Sequence, residues 1–270
     1  MKIFTKHTDH KPIYEEKLKA YSHVDFTLYV DTPNNYIVDS PLNIIVLQEP
    51  DEYFGLHTWT IQNQDQFQLI LSWNDKVLNN CTQAMYNPFG HTWLKPDQYT
   101  KPREKKFEIA HLAGKLQMSY GHSLRHEILA RENEIKTPKR FFHTYGSRDI
   151  IEQARIGKEE VFANSMFNIA IENFSHRGYF TEKLLDCFLF KSIPIYWGCS
   201  NIEDYFNSQG IIKFENVDDF IQITKELEES HYKILDVVLE DNYQRALQYL
   251  DFEQMAVDKI IEVFKHNNLV

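Results

Sequence analysis

The 270-residue sequence is short of cysteine, of positive charge and of long apolar runs, and each shortage removes a class of protein. Its three cysteines, Cys81, Cys187 and Cys199, stand apart with no CxxC pair. That argues against a disulfide scaffold and against a cysteine-rich zinc site. Cys187 falls inside an apolar helical pattern and reads as a small buried hydrophobe. The formal net charge is −10, whereas a protein that grips a nucleic-acid backbone carries a basic surplus. No nucleic-acid partner is expected, although one basic pocket for a phosphate ligand is compatible with this balance. No window approaches 18 apolar residues, and the start, MKIFTKHTDHKP, has no apolar core. No signal peptide, transmembrane helix or stable membrane insertion is expected, and the chain reads as cytoplasmic. The sequons Asn80-Cys81-Thr82 and Asn173-Phe174-Ser175 are then chance matches. Several chemical motifs are missing as well: GxSxG, GxGxxG, the GxxxxGK[ST] phosphate loop and Asp-x-Asp, a metal–diphosphate signature. His126-Glu127 lacks the second histidine of HExxH, because position 130 is Ala.

What is present is an ordinary globular composition, 43% hydrophobic and 25% charged, long enough for one large domain or two of common size. Aromatics reach 14%, which suits core filling and also flat ligands such as bases and sugar rings. Short apolar runs recur at 24–30, 42–48, 67–73, 107–113, 141–146 (FFHTYG), 167–173, 192–198 and 210–214 and predict buried strands. Helical patterns at 123–134, 181–190 and 217–230 lie between them. This alternation predicts an α/β protein with mainly parallel sheets covered by helices. Residues 91–106, with Pro96, Pro102 and a Lys/Arg cluster, lack apolar periodicity and read as a linker. The predicted domains are 1–95 and 96–270, with the linker at about 95–106 and an amphipathic C-terminal helix at 252–266 able to pack back on the first.

Ligands of such sheets bind outside the carboxyl ends of strands, near helix N-termini. Three strand-to-helix junctions therefore matter. At Gln48-Glu49-Pro50, Glu49 is either a turn residue or a carboxylate placed as a general base. At 114–125, Ser123 is the expected helix cap. Arg125, in the first turn, is either a surface ion-pair partner or an anion ligand. At ENFSHRGYFTEK, a strand delivers Glu172 and Asn173, Gly178 and Tyr179 follow, and Thr181 is the expected N-cap of a helix that begins Glu182-Lys183. Glu suits a helix N-terminus, whereas Lys there costs a few tenths to ~1 kcal/mol. Lys183 is either solvent-facing or the partner of an anion that reverses the sign of that cost.

The segment FNIAIENFSHRGYFTEKLLDCFLFKSIPIYWGCSNIEDYF, 167–206, resembles the donor-binding motif of the α1,3/4-fucosyltransferases (glycosyltransferase family 10-like): E-N-S, a gap, Y-x-T-E-K, a helix, then P-[IV]-x-x-G. LQEP resembles the family's E-[SN]-P region, NPFGHTWL its aromatic segment and GHSLRHEIL its arginine-bearing helix. Phe174 stands where the family has a small residue. The resemblance implies a GT-B fold, two facing Rossmann-like domains with a cleft between them, and inverting transfer of L-fucose from GDP-fucose to a glycan hydroxyl. Carried over by position, Asn173, Tyr179, Glu182 and Lys183 would contact GDP-fucose, Arg125 the diphosphate, and Glu49 would be the general base. No metal cofactor would be required, and a divalent ion would at most stimulate. The implied partners are a nucleotide-sugar donor and a glycan acceptor. Acceptor, linkage and oligomeric state are not readable. Two other readings stay open: the same scaffold with another nucleotide sugar, and a non-catalytic sugar-nucleotide-binding subunit of a glycan-assembly complex.

Overall fold

The computed structural model describes residues 1–32, 40–143 and 157–270. The chain divides into two compact units, Met1–Phe89 with Asp251–Val270, and Gly90–Leu250. The division therefore falls six residues before the expected 95/96 boundary, and the C-terminal segment counts with the first unit. Each unit holds one five-stranded, all-parallel sheet. The first comprises β1 (Lys2–Thr5), β2 (Thr27–Val30), β3 (Asn43–Leu47), β4 (Leu69–Ser72) and β5 (Ala84–Tyr86), in sequential order. The second comprises β6 (Lys106–Ala113), β7 (Lys139–His143), β8 (Ser165–Ile171), β9 (Ile193–Trp197) and β10 (Ile212–Lys213), ordered β10-β9-β8-β6-β7.

The central strands are apolar on both faces because helices and loops cover parallel sheets from both sides. Every residue of NIIVL in β3 and of SMFNIAI in β8 is buried. Such runs are easy to see in a sequence. The edges β1 and β5 were not expected: KIFT buries one residue fully and AMY none, so neither carries a continuous apolar run. Of FFHTYG, residues 141–143 lie in β7, and 144–146 lie outside the described residues.

The C-terminal helix Phe252–His266 completes the core of the first unit. Ala256, Val257, Ile260 and Phe264 pack with Phe26, Leu28, Ile44 and Leu71, and the Phe264 ring sits 4.9 Å from that of Phe26. Each fully buried large side chain contributes about 1.5–3 kcal/mol. Asp251 starts the helix by accepting from the Gln254 backbone N–H at 2.8 Å. Among the described residues no helix is long and apolar enough to cross a membrane.

In the second sheet β6 and β8 are neighbours, but the chain leaves β6 toward β7 and leaves β8 in the other direction, toward β9. The strand order reverses between them, and the crevice beyond their carboxyl ends is where ligands of open parallel sheets bind. The helices Tyr120–Ala130 and Glu182–Leu189 follow β6 and β8.

Candidate active site

Glu172 follows β8 directly and is fully buried. Its carboxylate accepts from the Thr181 backbone N–H at 2.8 Å and from Thr181 Oγ1–H at 2.7 Å. The start of the Glu182 helix is thereby fixed to the end of β8. Thr181 caps that helix as expected, accepting from the Lys183 N–H at 3.4 Å. Gly121 and Gly198 are glycines because Glu172 leaves no room. A Cβ on Gly121 would lie 1.8 Å from the Glu172 carbonyl oxygen, and one on Gly198 would lie 2.4 Å from its Cγ. Burial pushes the Glu172 carboxyl up, and Lys183, 3.9 Å away, opposes the shift.

The Tyr120–Ala130 helix begins four residues earlier than a Ser123 cap would place it. Ser119, not Ser123, is its cap: it is extended and its Oγ accepts from the His122 N–H at 3.2 Å. Gly121 belongs to the first turn and donates its N–H to the Asn173 carbonyl at 3.1 Å. Arg125 consequently lies in the second turn, 8% exposed. It donates through Nε to the Ile171 carbonyl at 3.2 Å, through Nη2 to the same oxygen, and through Nη2 to Asn173 Oδ1 at 2.9 Å. Part of its donor set therefore closes off the end of β8. His122, beside it, is pushed down to about 4 by burial and by the Arg125 and Lys183 cations.

At this switch point opens a cavity of about 190 Å³. Ile169, Ile171 and Phe162 give it apolar walls, and Arg125, Lys158, Glu182, Lys183 and Asp186 give it charge. Lys183 Nζ donates to Glu182 Oε1 at 3.0 Å and to Thr181 Oγ1 at 3.2 Å. Glu182 Oε2 lies 3.7 Å from His91 Nε2. Burial alone would raise the Glu182 carboxyl, but Lys183, then Lys158 and His91, hold it well below the usual range. Deeper in, Lys158 pairs with Asp186 at 2.6 Å, and Thr92 Oγ1 donates to the same carboxylate at 2.6 Å. Burial lowers Lys158, and the attraction of Asp186 and Glu182 outweighs it and leaves the ammonium favoured. Cations and carboxylates thus alternate along one wall. Tyr179 is 1% exposed, packed inside the unit next to this site and not part of the cavity wall.

Glu49 lies in the first unit, two residues past β3. Its side chain is 22% exposed, with His7 Nε2 3.8 Å from Oε1. Its own N–H donates to the carboxylate of Asp31, and its carbonyl accepts from His57 Nε2 at 2.9 Å.

The family model described as Glycosyltransferase family 10 (fucosyltransferase), C-terminal, matches residues 120–264, more than half of the chain and all of the β8 junction. The chain belongs to glycosyltransferase family 10. The alpha-(1,3)-fucosyltransferase FucT of Helicobacter pylori is similar at 31% identity over 116 residues, 40% of this chain and 23% of that protein. The matches in the curated relatives span under a quarter of those proteins. A solved α1,3-fucosyltransferase with GDP-fucose superposes with a TM-score of 0.54 at 15% identity, over 95% of this chain and 90% of that one. Anabaena Alr3699/HepE in complex with UDP-glucose gives 0.58 at 10% identity, over 96% and 85%. At these identities the likeness is one of fold, GT-B. Glu49 lies outside the residues that the family model matches.

In this family 10 chain the fold brings Arg125, Asn173, Glu182 and Lys183 together. Sequence reasoning missed Lys158, His91, Asp186 and Asp31. Asp31 could have been found, because it ends an apolar strand just as Glu172 does. Lys158 opens a short helix, Lys158–Phe162, and nothing in its neighbours marks it.

Proposed function

We propose that this family 10 chain is an inverting fucosyltransferase that moves L-fucose from GDP-fucose to a glycan hydroxyl, as α1,3-fucosyltransferases do. The observation that carries this reading is the cavity at the β6/β8 switch point, where Arg125 and Lys183 stand beside Glu182 at the head of a helix. In this reading Arg125 and Lys183 neutralise the diphosphate, with Asn173 holding Arg125 in place. Glu182, kept ionised by its cations, faces the positive charge that develops on the sugar ring. The acceptor hydroxyl attacks the anomeric carbon in line with the departing GDP. Its proton passes to Glu49, and the bond to the β-phosphate oxygen breaks with its electrons on the phosphate. Lys183, Arg125 and Lys158 supply cations of the protein's own, so transfer is expected to proceed in the presence of a chelator.

The test is GDP release and sugar transfer from GDP-fucose across a panel of glycan acceptors, with GDP-fucose affinity measured in parallel. Glu49→Gln is expected to reduce transfer by about 10²–10⁴ while GDP-fucose binding changes little. Tight GDP-fucose binding with neither hydrolysis nor transfer would make the chain a binder. A larger thermal shift with another nucleotide sugar would replace fucose as the donor, since a ligand at 100 times its Kd adds ~2.7 kcal/mol.

A further inference from the structure

We propose that Asp31 is the positioning residue of the Glu49 base, the centre of a three-side-chain clamp on the loop that carries it. The inference rests on the reading of Glu49 as general base. The backbone of Gln48 and Glu49 offers four polar groups, and each is held by a side chain from elsewhere in the first unit. Asp31 accepts from the Gln48 N–H at 2.8 Å and from the Glu49 N–H at 3.3 Å on Oδ1 and 3.2 Å on Oδ2. Trp73 Nε1 donates to the Gln48 carbonyl at 2.6 Å. His57 Nε2 donates to the Glu49 carbonyl at 2.9 Å, which assigns the proton to that nitrogen. The three side chains come from the ends of β2 and β4 and from the helix Leu56–Gln62.

The arrangement is costly for a mere turn. Asp31 is 1% exposed, so a carboxylate has been taken out of water. It also sits at φ +46°, a left-handed backbone that Asp tolerates better than most residues but still strained. A strand-to-helix turn at the surface can leave its N–H and C=O groups to water. Here they are fixed, while the Glu49 side chain alone stays partly exposed at 22%. Fixing the backbone beneath a reactive carboxylate is what pre-organisation of a base requires, and a displacement of about 1 Å can cost ~10²-fold in rate.

The experiment compares Asp31→Ala, Asp31→Asn, Trp73→Phe and Glu49→Gln. Each is measured for kcat and KM of GDP-fucose turnover, for GDP-fucose affinity by calorimetry, and for folding by urea titration. Asp31→Ala is expected to lower kcat about 10–100-fold, with KM and affinity within about threefold. Asp31→Asn keeps the Oδ1 acceptor and restores most of the loss. Trp73→Phe loses the one indole N–H bond and is expected to lower kcat less than Asp31→Ala. A folded Asp31→Ala protein with wild-type kcat overturns the proposal. So does an Asp31→Asn protein no better than Asp31→Ala, or a parallel fall in donor affinity, which would mark a general structural role. If Asp31→Ala does not fold, a Trp73→Phe protein with unchanged kcat overturns it instead. Wild-type transfer by Glu49→Gln removes the base and the clamp together. Impaired Glu49→Gln with normal Asp31 variants removes the clamp alone.

Discussion

Asp31, after β2, and Glu172, after β8, are 1% and 0% exposed, and each accepts hydrogen bonds from the backbone of a neighbouring loop. Burial pushes both carboxyls up. Their surroundings then part. Glu172 has a cation, Lys183, on the very helix that it anchors, and two glycines make room for it. Asp31 faces a second carboxylate, Glu49, which pushes it up further. In the second unit the anchor pairs with a cation that lines the cavity, so attraction adds to the hydrogen bonds that hold the helix start. In the first unit the anchor and the group it positions repel each other, and hydrogen bonds hold the geometry against that repulsion.

The comparison can be broken most severely at Gly121. Gly121→Ala places a methyl 1.8 Å from the Glu172 carbonyl oxygen. Backbone stands on both sides, so a loss of about 3 kcal/mol or more is expected, at or above the top of the overpacking range. Urea titration reads the stability, and GDP titration should show the cavity lost with it. If the variant is as stable as wild type, the close bracket around Glu172 is not what holds the helix start.

A smaller change sharpens the electrostatic half. Lys183→Met removes the cation shared by Glu172 and Glu182. GDP affinity is expected to fall at least about tenfold, ~1.4 kcal/mol. Stability should fall by about 1 kcal/mol, since Lys183 is 25% exposed and solvent screens part of the pair. Undiminished GDP affinity by calorimetry would detach Lys183 from the ligand.

The smallest effect is visible only against pH. His122 titrates at about 4 instead of 6.5, so it stays neutral in the fold while the unfolded chain gains a proton. Its contribution is fully present above about pH 6.5 and is lost as pH falls toward about 4. The raised carboxyls have the opposite sign: their contribution is fully present below the ordinary carboxyl range and is lost as pH rises through their folded values. His122→Gln should therefore flatten the decline in stability between pH 6.5 and 4.5, measured by urea midpoints across that range. An unchanged slope would show that His122 is not the group responsible.

The parallel α/β class and the helix start at Thr181 could be read in the sequence because their causes are local. Strands such as FNIAI are apolar throughout, and Thr181 lies two residues from the N–H it accepts. The edges β1 and β5 escaped because half-buried strands of four and three residues carry too little pattern. Ser119 is hard to tell from Ser123 as the cap because the sequence does not show that Gly121 must approach the end of β8 closely, which draws the first turn back to Ser119. The charge lattice escaped for a related reason. Lys158 meets Asp186 across 28 positions, and Thr92 meets it across 94. A residue's neighbours in sequence say nothing of partners that only a completed sheet brings within reach.

The return of the C-terminal helix to the first unit also sets a timetable for folding. Phe264 and Phe26 touch across most of the chain, and residues 90–250 are synthesised between them. The second unit can therefore close its core on the ribosome while the first waits with β2 and β3 made but one wall missing. Until that last helix emerges, Leu28, Ile44 and their neighbours lack the side chains that cover them. Chaperone demand and aggregation should concentrate in nascent chains that still lack the helix Phe252–His266, whose second unit can already be folding.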